Sequence, residues 1–217
     1  MNKEQTITGV IRGTGACVPE RILDNKEIAG FVDTSDEWIR ERTGVRRRRI
    51  AEKETTVSMA CEAGRQAVEE AGILPGEIDM ILVATGSPDQ IFPCTACQVQ
   101  EALGADGAVG FDLNAACSGF LFAYNTAQAY IASGIYRTVL VIGSESISRL
   151  VDWTDRGTCI LFGDGAGAVL LQAAEGRTYR PIAHSDGSGG EALTGPGVRN
   201  RIRSIDKDGE KTKTEYI

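Results

Sequence analysis

The 217-residue chain is 42% hydrophobic and 24% charged, an ordinary globular balance with room for one good-sized core or two modest domains. Its formal charge of −7 argues against broad affinity for nucleic acid. The opening MNKEQTITGV lacks a signal-peptide core and no run of roughly 18 apolar residues occurs, so the expectation is a soluble cytoplasmic protein with no membrane partner.

In chain order, 6–18 (TITGVIRGTGACV) is expected to form a strand ending in Gly-rich turns. DNKEIAG at 24–30 and TSDEWIRERTG at 34–44 each open on a capping residue and stop at Gly, as short helices do. Residues 55–72 carry apolar side chains at helical spacing and end at Gly72. DMILVATG at 79–86 is a short apolar run, the pattern of a strand covered on both faces. Helix, strand and helix follow at 94–104, 108–114 and 117–134, and another buried strand at 138–145. Residues 158–174 read as two apolar runs around a glycine turn, the second a strand. This alternation predicts an α/β layered fold with a parallel or mixed sheet. One unit is complete by about residue 174; 175–217 reads as a fresh strand and loop opening a second, incomplete unit, so a fragment is expected.

DLNAACSGF at 112–120 places a thiol where an apolar strand gives way to a small-residue helix. If the helix begins at Cys117, its free amides and dipole favour a thiolate and can support an oxyanion. That is the logic of a nucleophile elbow. The alternative is a small hydrophobe filling space between Ala116 and Phe120. The helix that follows is apolar on nearly every side, which predicts a buried central helix. His184, the single histidine, lies in a loop-like stretch and is no assured base.

The six cysteines are expected to be free thiols. Cys94 and Cys97 have the spacing of half a zinc site, but no second pair follows, so helix packing is expected and no metal. GDGAG (163–167) lacks the Lys-Ser/Thr of a phosphate loop and is read as a tight turn. Residues 40–49 hold six arginines, either a salt-bridged face or an anion dock. Trp38 is near them in sequence, and an indole and the Arg156 guanidinium could sandwich a planar base.

Together, TSDEWIRERTGVRRR, ATGSPDQIFPCTACQVQ, DLNAACSGF, DWTDRGTCILFGDGAGAVLL and HSDGSGGEAL resemble, in order and spacing, the β-ketoacyl-acyl-carrier-protein synthase III family of thiolase-fold condensing enzymes, over about residues 6–195. The resemblance implies the first half of a five-layer α-β-α-β-α architecture. It implies that Cys117 takes an acyl group from acetyl-CoA or another short acyl-CoA. Condensation with malonyl-acyl-carrier protein then gives a 3-oxoacyl-carrier protein. Trp38 and Arg156 fall where the family clamps the adenine, Thr34 and Arg42 where it lines the nucleotide site, and Gly157 and Leu161 beside the pantetheine tunnel. Phe92 matches a residue that reaches across a homodimer to the partner's acyl pocket. The arginine cluster would receive phosphates and the acidic carrier protein. No cofactor is implied. The family's catalytic His and Asn have no match in this sequence, and His184 does not correspond to either. Two alternatives stand beside this reading: a related condensing enzyme of secondary metabolism, and a non-catalytic half-domain that binds CoA or dimerises.

Overall fold

A computed structural model of the chain describes residues 6–195. The expected strand start at KTKTEYI lies outside the described residues.

The apolar run MILVA forms β4 (Met80–Ala84), buried at every position. Successive side chains of a strand point to opposite faces, so such a run needs cover on both. β4 lies between β5 (Val109–Leu113) and β6 (Thr138–Ser146), parallel to each. β7 (Asp164–Glu175) pairs antiparallel with β6, and β1 (Ile7–Cys17) antiparallel with β7, giving the order β1-β7-β6-β4-β5. On one face, Ala60, Ala63 and Ala67 of α3 (Thr56–Ala71) and Val99 of α4 (Thr95–Leu103) cover Ile81, Val83, Leu140, Ile142 and Leu170. On the other, Ala123, Ala127 and Ile131 of α5 (Gly119–Ala132) cover Met80, Leu82, Val139, Val141 and Leu171. The result is the expected α/β layering, three layers deep.

A smaller lobe sits beside the sheet. β2 (Arg21–Asp24) pairs antiparallel with β3 (Arg47–Ile50), and the chain between them forms α1 (Asn25–Ile28) and α2 (Asp36–Thr43). The helix ends follow the sequence signals. Asp24 and Glu27 form a reciprocal capping box, Ser35 and Thr55 cap α2 and α3, and Gly44, Gly72 and Gly104 close α2, α3 and α4 in the left-handed conformation.

Three sequence expectations are corrected. The glycines of 6–18 do not end the strand; they lie within β1, where a side chain at Gly13 or Gly15 would collide with the carbonyls of Ala67 or Ala63 on α3. GDGAG is not a tight turn: Gly165 and Gly167 are paired residues of β7, opposite Glu145 and Gly143 of β6. The second apolar run of 158–174 is a strand as expected, and the first, for which no element was expected, is helical at its start, as α6 (Arg156–Cys159). No fresh strand forms after β7, because residues 177–186 have no pairing partner among the described residues and leave Tyr179 and Ile182 exposed.

α5 also departs from expectation. It buries only the face turned to the sheet and leaves Leu121 and Phe122 exposed, since one layer packs on it among the described residues. No helix among these residues is long and apolar enough to cross a membrane.

Candidate active site

Cys117 sits at the carboxyl end of the parallel strands, the end at which open α/β sheets bind ligands. After β5 the chain passes Asn114 and Ala115 into a 3₁₀ turn, Ala116–Ser118, and only then into α5. The α-helix therefore starts two residues later than a helix opening at Cys117 would require. Ala116 produces the offset: its φ is +46°, a left-handed conformation that costs an L-residue roughly 1–2 kcal/mol. The Asn114 side-chain oxygen accepts from the Ala116 amide at 3.1 Å and holds the bend. Cys117 is exposed there, whereas Cys159 is buried. Ser118 caps α5 without a side-chain hydrogen bond, so no side chain covers the first-turn amides from that position.

Neighbouring loops fix this turn. Thr85 donates its amide to the Leu113 carbonyl at 3.2 Å, joining the ends of β4 and β5. Glu145, on β6, accepts from the Gly86 amide at 2.8 Å and from the Ser87 hydroxyl at 2.5 Å. Small residues let α5 lie close to the strands: a side chain at Gly119 would stand 3.2 Å from the Ala84 Cβ, and one at Gly143 3.4 Å from Phe120. Asp112 turns away from the thiol's chemistry and accepts from the Thr95 and Ala96 amides, each at 2.8 Å, capping α4.

A second group assembles on α2 and α6. The guanidinium carbons of Arg42 and Arg156 lie 4.6 and 4.8 Å from the centre of the Trp38 ring, so the three residues form one stack. Arg156 also donates to the Asp33 carbonyl at 3.0 Å. Beneath the stack, Ile39, Leu23, Ile28, Cys159 and Ile160 make a separate apolar cluster. Thr34 has a buried hydroxyl without a hydrogen-bond partner. Asp155 caps α6, accepting from the Gly157 amide at 2.8 Å and the Thr158 hydroxyl at 2.7 Å, and these bonds hold its carboxyl below the usual range. Leu161 is half-exposed just beyond.

The arginine run does not act as one surface. Arg48 is 4% exposed and turns inward, donating to the Ile160 carbonyl and to Asn25, with burial drawing its guanidinium below its usual range. Arg40 pairs with Asp36, and Arg49 donates to the Pro19 and Glu20 carbonyls. Arg46 and Arg47 are exposed.

Phe92, on the β4–α4 connection, is 81% exposed and belongs to none of the apolar clusters. His184 is exposed in the irregular stretch after β7. Among the described residues no group of three or more His, Cys, Asp or Glu is placed to hold a metal. Sequence reading missed the bracing by Glu145, the strain at Ala116 and the burial of Arg48. The first lay in an ordinary SES triplet, and the other two depend on backbone and packing that no local pattern reports.

Comparison with known proteins bears out the resemblance carried by the motifs. The family described as 3-oxoacyl-[acyl-carrier-protein] synthase III matches residues 111–188, which hold the Cys117 turn. The β-ketoacyl-[acyl-carrier-protein] synthase III of Erythrobacter litoralis is 52% identical over 188 residues, 84% of this chain and 59% of that protein. Its counterpart from Clostridium acetobutylicum is 51% identical over 187 residues, 86% of this chain and 58% of that protein. The crystal structure of the Aquifex aeolicus 3-oxoacyl-[acyl-carrier-protein] synthase III superimposes with a TM-score of 0.76 at 50% identity, covering 77% of this chain and 55% of that one. The priming β-ketosynthase of the R1128 polyketide pathway gives 0.81 at 39% identity, covering 87% and 57%. The layered fold is thus the thiolase-like one, and this chain spans a little under three fifths of the length of the relatives it matches.

Proposed function

We propose that the chain carries the acyl-accepting part of a β-ketoacyl-acyl-carrier-protein synthase III, the acyltransferase that opens fatty-acid synthesis. The observation that carries this reading is the exposed Cys117, set on a strained turn between β5 and α5. In the first step the Cys117 thiolate attacks the thioester carbonyl of a short acyl-CoA, acetyl-CoA foremost. The first-turn amides of α5 stabilise the oxyanion, the bond to the CoA sulfur breaks, and the cysteine's proton leaves on the CoA thiol. Malonyl-acyl-carrier protein then loses CO₂, and its carbanion attacks the acyl-cysteine to give the 3-oxoacyl-carrier protein. The family assigns that condensation to a His and an Asn with no match in this sequence, so the described residues account for acyl loading and not for condensation.

CoA would lie across α2 and α6. Its adenine takes a place between the Trp38 indole and the Arg156 guanidinium, which already stack on each other, so the base exchanges one face-on contact for two. Arg42 and Thr34 line the nucleotide, and Gly157 and Leu161 border the path of the pantetheine arm. Phe92 reaches across a homodimer to the partner's acyl pocket, and the exposed Arg46 and Arg47 face the acidic carrier protein. No cofactor is required.

Intact mass spectrometry of the purified chain after acetyl-CoA tests the reading. An acetyl adduct in the parent and none in Cys117→Ala supports it; CoA binding without any adduct replaces it with a binding half-domain. The likeness to the R1128 priming β-ketosynthase supports a second reading, a condensing enzyme of secondary metabolism. Preferential loading of longer acyl-CoAs over acetyl-CoA favours that reading.

A further inference from the structure

Cys94 and Cys97 were expected only to pack α4. Their placement is more particular. Cys94 is the N-cap of α4 and Cys97 lies in its first turn, with the two sulfurs 3.3 Å apart. Cys97 is exposed, and Cys94 behind it is half-buried against the sheet core. The turn between them is held from outside the helix, because the Asp112 carboxylate accepts both the Thr95 and Ala96 amides at 2.8 Å. Close approach at Gly110, whose missing side chain would stand 3.2 Å from the Ala96 backbone, presses the turn onto β5. A disulfide bond is about 2.0 Å long, so closure asks the sulfurs to approach by only about 1.3 Å. A two-ligand site is too small for structural zinc, which takes four.

We propose that Cys94 and Cys97 form a reversible dithiol–disulfide site whose substrate is a low-molecular-weight disulfide such as glutathione disulfide. The Cys97 thiolate attacks one sulfur of the small disulfide, forming a mixed disulfide and releasing one glutathione. Cys94 then attacks the Cys97 sulfur, closes the intramolecular bond and releases the second glutathione. The protein loses two electrons and two protons, and the small disulfide is reduced to two thiols. The neighbouring Cys94 sulfur, partial burial and the Asp112 carboxylate hold the Cys97 thiol above its usual range, so the opening attack is the slow step. The site stands apart from the acyl transfer proposed for Cys117.

The full chain incubated with glutathione disulfide, denatured, alkylated and mapped by mass spectrometry provides the test. The expected product is a peptide linked between Cys94 and Cys97, lighter by two hydrogens and restored by dithiothreitol. Cys94→Ser should instead keep a stable glutathione on Cys97, because the resolving sulfur is gone. Closure should persist in Cys117→Ala. Equal alkylation of both thiols before and after the oxidant overturns the proposal. So does a stable glutathione on Cys97 in the parent chain while Cys94 stays free.

Discussion

Cys117 stands on backbone: a 3₁₀ turn, a left-handed alanine, and loops braced by Glu145 at the rim of a five-stranded sheet. Trp38 stands on side chains: two guanidiniums stacked on its ring, over a small cluster tied together by the buried Arg48. A nucleophile must meet a carbonyl within a fraction of an ångström, and a packed sheet supplies that precision. A ligand platform must open to admit its guest, and a lobe held by stacked cations can do so at low cost. The two regions should therefore answer to different kinds of substitution.

Arg48→Met should give the largest loss of stability. It leaves the Ile160 carbonyl and Asn25 without their buried donor, a loss of about 3 kcal/mol. Hydrogen exchange should rise across α2 and α6 while iodoacetamide labelling of Cys117 holds its rate; a parallel change at both sites would erase the distinction between them. Trp38→Ala comes next. Base stacking on an aromatic ring is worth about 1–3 kcal/mol, so CoA affinity by calorimetry should fall roughly 5- to 150-fold. Thiol reactivity at Cys117 should again be unmoved.

Ala116 probes the other region. Ala116→Val forces a branched side chain into a left-handed backbone and should cost about 1–2 kcal/mol in chemical denaturation, with slower thiol labelling. Ala116→Gly should move stability by under about 1 kcal/mol, since strain relief and added chain entropy oppose each other. The smallest effect concerns pH. The Asp155 carboxyl is held low by the Thr158 hydroxyl and the Gly157 amide, so its contribution is complete above the ordinary carboxylate range. It is lost only as pH falls through the lowered native value. The protection of the Gly157 amide, the slowing of its exchange relative to an unstructured peptide at the same pH, should fall in acid, and Asp155→Asn should flatten that dependence.

Much of this molecule was legible locally. Asp24, Ser35 and Thr55 at helix starts, and Gly44, Gly72 and Gly104 at helix ends, act within a turn of where they stand. The all-apolar β4 declared a two-sided burial that the sheet supplies. Pairing was not legible, because Ile7 finds Glu175 at the end of β7, the last strand of the sheet in chain order, and glycines that look like turns become strand only once that partner arrives. Cys117 could be suspected from its neighbours, and Trp38 with Arg156 from their chemistry. Arg42 stands four residues after Trp38 on α2, so helical spacing brings the two together, whereas the inward turn of Arg48 depends on how a short hairpin packs against α6.

The glycines of β1 carry one more consequence. Gly13 and Gly15 admit no side chain, because the backbone of α3 occupies the space one would need. A saturation scan scored on growth would mark these two positions as sharply as Cys117, and a ranking by intolerance would merge architecture with chemistry. Soluble yield separates the classes: substitutions at the glycines should empty the supernatant, while Cys117→Ala should leave it full.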